Sequence, residues 1–109
     1  MKTLPHAIRH AMAAREYQRS ARRAFHIVGL LGGKRRCRMA WLFADLQVQL
    51  ADAHTNLHRR FADLVAIEGP DKGETDEQHR DRIALINTYA ARAERAATLL
   101  RRGGARKAA

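Results

Sequence analysis

The side chains with chemistry to offer are mostly cations. Lys34, Arg35, Arg36 and Arg38 crowd one short stretch, Arg101 and Arg102 adjoin near the end, and Arg15, Arg19, Arg22 and His26 recur at helical steps. A guanidinium holds phosphate oxygens with paired hydrogen bonds, so this chemistry is polyanion recognition and not bond making. Four histidines form two pairs, His6 with His10 and His54 with His58, and four imidazoles can ligate zinc. Neither pair carries the glutamate of a His-Glu-x-x-His hydrolase, so the expectation is no metal, these four residues being the only candidates. Cys37, between Arg36 and Arg38, lacks the histidine and acid partners of a nucleophile. With no paired carboxylates in a cleft and no Gly-rich phosphate loop, neither an enzyme nor a cofactor is expected.

The chain that must position these groups has 109 residues, enough for one domain, and its 21 basic and 11 acidic side chains leave it at +10. Alanine occupies 21 positions against six aromatics, which predicts a thin helical core. One cysteine makes no internal disulfide and the N-terminus reads as no secretory signal, so a cytoplasmic location is expected. The longest apolar run, Met39 to Ala44, falls far short of the roughly 20 residues that span a bilayer.

Glycines punctuate three long segments at Gly32-Gly33, at Gly69 to Gly73 and at Gly103-Gly104. The expected fold is all-α, an antiparallel three-helix bundle running up-down-up. It is read as one domain over 1–102, with helices near 4–31, 34–68 and 76–102 and a flexible basic tail at 103–109. Pairing with a second copy or packing into a larger assembly is compatible with it. Thr3 is a candidate N-cap for the first helix, whose apolar side reads Ala14, Tyr17, Ala21, Ala24, Val28, Leu31. The second segment shows the clearest stripe, Leu42, Leu46, Leu50, Ala53, Leu57, Phe61 and Leu64, which predicts the buried face. Trp41, Ala44, Val48 and Thr55 lie on another flank. They read either as a second covered side or as a docking surface anchored by Trp41 and Val48. Thr75 and Gln78 spell a capping box, followed by a seam of Ile83, Ile86, Ala90, Ala93, Ala97 and Leu100.

Charge is unevenly spread. Residues 1–38 hold ten Lys/Arg against one acid and residues 83–109 six against one, whereas 39–68 and 69–82 are each net acidic by two. Up-down-up folding gathers Arg19, Arg22, Arg23, Lys34, Arg35, Arg36, Arg38, Arg95, Arg101 and Arg102 at one pole, continued by the ridge through Arg15. The other pole receives Glu68, Asp71, Glu74, Asp76 and Glu77. Cations at the start of the second helix oppose its dipole, so an outside anion is the expected neutraliser. No helix-turn-helix, zinc finger or basic zipper is visible, and the aromatics fall mostly on apolar faces, which argues against base readout and stacking platforms.

The reading is therefore a non-enzymatic helical module that contacts nucleic-acid backbone, RNA or single-stranded DNA before sequence-specific duplex, as a subunit of a larger nucleoprotein complex. In length, helix content and charge the chain is similar to the small helical subunits of multisubunit CRISPR effector complexes. That resemblance carries no motif residues and implies contacts to RNA or displaced single-stranded DNA. The alternative is a protein-interaction module, such as a phage or plasmid accessory protein, an assembly factor or an inhibitor of a host complex. A third reading makes the N-terminal segment an amphipathic membrane-surface helix or presequence.

Overall fold

The computed structural model describes residues 4–108, with side chains from 6 to 106. Three helices, α1 (Leu4–Leu30), α2 (Arg38–Glu68) and α3 (Asp76–Ala108), pack against one another in a rod of 58 × 18 × 15 Å. There is no strand among the described residues. The Thr3 cap lies outside them.

α1 ends because Gly32 and Gly33 take positive φ angles of 97° and 99°, open to glycine at little cost. The Gly33 amide then donates to the Val28 carbonyl and the Gly32 amide to that of Gly29, the paired bonds of a Schellman cap. The chain makes further turns through Arg36, whose amide returns to the Gly33 carbonyl, so α2 starts at Arg38 and not at Lys34. Lys34, Arg35 and Arg36 therefore belong to the connection. At the head of α3 the capping box forms as spelled: the Thr75 amide donates to Gln78 Oε1 (3.0 Å) and the Gln78 amide to Thr75 Oγ1 (3.1 Å).

α3 buries the predicted seam, with Ile86, Ala90 and Ala97 at 2% exposure or less. α2 does not. Its buried residues are Ala44, Val48, Ala51, Thr55, His58, Ala62 and Val65, whereas Leu42, Leu46, Leu57 and Leu64 are 44–50% exposed. The expected leucine core face is corrected on this point: these four leucines stay about half exposed, and the smaller residues beside them take the buried positions. Small residues let helix axes approach closely, and a helix touched by two neighbours uses the face that fits both of them. Among the described residues, nine of the fourteen buried apolar ones are alanines, so the core is thin.

α3 also continues through Gly103 and Gly104, where the glycine pair was expected to end it and release a basic tail. Gly104 is buried, and a Cβ there would stand 2.7 Å from the Phe25 ring. The glycine is a packing device at a helix crossing and not a stop signal.

Candidate nucleic-acid interface

The site is built around Phe25. Its ring meets Trp41 edge to face at 6.5 Å between centroids and lies directly under Gly104, so the end of α1, the start of α2 and the end of α3 come together at one place. Ala21, Ala24, Ala44, Val48 and Ala97 complete this cluster, with Trp41 and Leu100 partly buried against it. A rigid apolar plug thus fixes the backbone from which the cations project.

Lys34 reaches back over the plug, its ammonium 3.8 Å from the Trp41 ring centroid, a cation–π contact that holds the lysine against the end of the rod. The Arg36 side chain folds over Gly32, which has no Cβ to obstruct it. Cys37 caps α2 from the N-terminal side without any side-chain bond to the helix amides, and the first turn of α2 contains no acid. Its thiol donates to the Gly33 carbonyl at 3.0 Å, a structural role. The positive end of the α2 dipole therefore sits among Lys34, Arg35, Arg36 and Arg38 with no neighbouring negative charge in its own first turn. The last turn of α1 carries no base, so dipole complementation does not account for Arg22 and Arg23 either.

The predicted cations separate into three groups. Arg22, Arg23, Lys34, Arg35, Arg36, Arg38 and Arg102 are exposed, and none has an acidic partner within ion-pair distance among the described residues. Arg19 and Arg101 are exposed but engaged: Arg19 bonds Glu16 at 2.8 Å, and Arg101 pairs with Asp52 and so ties α3 to α2. Arg15 and Arg95 are not at the tip. Arg15 is ten residues before Phe25, about 15 Å along α1. Arg95 lies two residues beyond Ala93, whose carbonyl accepts from Gln18 in the middle of α1. Arg15 instead shares a side groove of about 350 Å³ with Arg92, a residue the sequence reading passed over although its spacing from Tyr89 sets the ring contact seen here at 5.7 Å. Glu94, the acid nearest the basic cluster in sequence, is taken by Arg59, whose hydrogen bond holds its carboxyl below the ordinary value.

The acidic end is organised differently. Arg82 meets Glu74 through two nitrogens, each at 2.8 Å, and Glu74 also accepts from the Asp71 amide, so the loop into α3 is stapled. Hydrogen bonding to Arg82 lowers the Glu74 carboxyl pKa.

The histidines come together in part. His10 and His54 place their Nδ1 atoms 2.9 Å apart and stack at 5.1 Å, while His6 and His10 both lie along Phe61. His58 is buried and its Nδ1 bonds the Ala7 carbonyl at 2.7 Å. Contact between two imidazole nitrogens requires one to donate and the other to accept, which leaves no room for an ion between them. Among the described residues no group of three or more His, Cys, Asp or Glu is placed to hold a metal.

Of the two readings of the Trp41 flank, burial fits the covered side: Val48 is fully buried and Trp41 is partly buried against the plug. No helix among the described residues is long and apolar enough to cross a membrane. Compared with protein families, with curated proteins and with solved structures, the chain finds no match.

Proposed function

We propose that this chain is a non-enzymatic module that binds nucleic-acid backbone through the end of the rod around Phe25, as a subunit of a larger nucleoprotein complex. The single observation that carries the reading is the exposed set Arg22, Arg23, Lys34, Arg35, Arg36, Arg38 and Arg102, without acid partners among the described residues, mounted on a rigid aromatic plug. The arrangement it supposes is up-down-up. Contacts of Phe25 with Trp41 and Gly104, of Ala7 with His58, and of Arg59 with Glu94 support that direction of travel. Cations held together at this density repel one another, and a phosphate chain that releases its counterions on binding turns the repulsion into affinity. With no groove-reading element, the contact is to backbone, and RNA or single-stranded DNA suits a small convex tip better than duplex bases do.

Binding of labelled single-stranded RNA, single-stranded DNA and duplex across several salt concentrations tests this. Affinity should fall steeply with salt and depend little on sequence. Reversing Arg35, Arg36 and Arg38 together should flatten the logarithmic salt slope by about 2, the share of three phosphate contacts on a single strand. A salt-independent response, or wild-type binding by the triple variant, overturns the reading. A protein-interaction role is the second reading, and one observation favours it: the apolar face that α2 leaves uncovered.

A further inference from the structure

We propose that the uncovered face of α2 is the contact surface for a second copy of this chain, running antiparallel. The inference is independent of the nucleic-acid reading.

Along α2, Phe43, Leu50, Leu57 and Leu64 recur every seven residues, and Met39, Leu46, Ala53, Arg60 and Ile67 recur every seven residues between them. Together they form an unbroken alternation of four- and three-residue steps, the a and d positions of a coiled coil, with Arg60 as the one polar member. Six of the nine, Met39, Phe43, Leu46, Leu57, Leu64 and Ile67, are 44–81% exposed. The buried face of the same helix, Ala44 to Val65, has the same period, about 150° further round. A straight α-helix drifts about 20° per heptad against such a repeat, so two parallel seams persist over this length only where both are read by neighbours. The inner seam is covered by α1 and α3. A face meant for water needs no heptad period at all.

The strip is about 42 Å long. Beside Phe43 it continues onto α1 through a shallow groove of about 230 Å³ bordered by Ile27 and Ala24. It is also self-complementary. In an antiparallel pair centred between Leu50 and Ala53, Leu50 meets the partner's Ala53, Leu46 the partner's Leu57, and Met39 the partner's Leu64, each layer occurring twice by the two-fold axis. Arg60, the exception to the apolar pattern, then faces the partner's Phe43, where a guanidinium is favoured over an aromatic face.

Charge chooses the direction. Residues 1–38 carry ten bases against one acid, whereas residues 69–82 carry three against five. A parallel pair would set two basic ends side by side within the screening length of about 8 Å. The antiparallel pair separates them by about the length of α2, about 46 Å, and lays Arg38 beside the partner's Asp63 and Glu68 end.

Sedimentation equilibrium of the full chain at high concentration tests the pairing, with Leu57→Glu and Leu46→Glu as variants whose monomer keeps its helicity because both sites face outward. The expected result is twice the chain mass for the wild type and the monomer mass for each variant. Direction is read by oxidation in a Cys37→Ser background. Met39→Cys and Leu64→Cys chains should crosslink when mixed and not when oxidised alone. A monomeric wild type, a dimer that survives both glutamates, or disulfides within each single-cysteine population overturns the proposal. So does a monomer that floats with zwitterionic vesicles, which would assign the strip to lipid. Nucleic-acid binding by a monomeric Leu57→Glu chain keeps the two readings separable.

Discussion

Helix α2 has two mainly apolar faces, and α3 has one. On α3 the residues outside its seam are largely charged or polar, with Leu85 and Leu99 separated by Arg92, so burial has only one stripe to choose. On α2 the choice is between leucines and a row of alanines and valines joined by Thr55 and His58, and the bundle takes the row with the smaller residues. The difference teaches that apolar volume does not by itself decide which face is buried. A middle helix must satisfy two neighbours at close range, and small side chains allow that approach, while large ones remain for a contact made later.

The sharpest way to break this comparison is to put the same charge on each face of α2. Val48→Asp places a carboxylate where exposure is zero and should cost about 4 kcal/mol, enough to unfold much of a chain this small. Leu57→Asp, on the opposite face, should change monomer stability by less than about 0.5 kcal/mol in dilute urea titrations followed by circular dichroism. Equal losses would mean that the outer face is not outer. Ala51→Leu sharpens the same point through volume alone. It overfills the buried seam and should cost about 2 kcal/mol, although leucine is the residue type that suggested burial on the other face.

Two adjacent glycines give the next largest contrast. Gly103 has nothing within 4 Å of an added Cβ, so Gly103→Ala should stabilise α3 by about 0.5–1 kcal/mol. Gly104→Ala drives a methyl to 2.7–2.9 Å from three carbons of the Phe25 ring. The ring is held by Trp41, so the net result should be a loss of about 1 kcal/mol. Thermal melts of the two variants should therefore move in opposite directions.

Much of the fold was legible in sequence, and the parts that were not share a cause. Segment number, helix type and the Thr75-Gln78 cap depend on local chemistry, which a single sequence carries. The α3 seam was legible because it had no rival. The buried face of α2, the helical continuation through Gly103-Gly104 and the pairing of Arg101 with Asp52 all depend on what another helix brings to that height, which spacing within one segment does not encode. Among the site residues, Lys34, Arg35, Arg36 and Arg38 stood out because cations read at a helix start oppose its dipole, and the structure seats the first three just before that start. Arg95 was placed at the tip by counting charges along the chain, without the rise per residue that sets it back near Ala93.

The smallest effect expected is a pH dependence at the other end of the α1–α2 contact, where histidine and aromatic rings pack beside the alanines. Burial, reinforced by the nearby imidazoles of His54, His58 and His6, lowers the His10 pKa from its ordinary 6.5. Above that value His10 is neutral in both folded and unfolded chains and the pair with His54 costs nothing. As pH falls below 6.5 the unfolded chain takes up a proton that the folded chain resists, so stability declines with acidification until the folded pKa is reached. Replacing His10 with Gln, which keeps a hydrogen-bonding group near His54 Nδ1 without a titratable ring, should flatten the stability profile between pH 8 and the onset of carboxylate protonation, about pH 5. Because Phe25 lies fifteen residues along α1 from His10, about 22 Å, the same substitution should leave nucleic-acid affinity unchanged, and a shift in that affinity would show that the two ends of the rod are coupled.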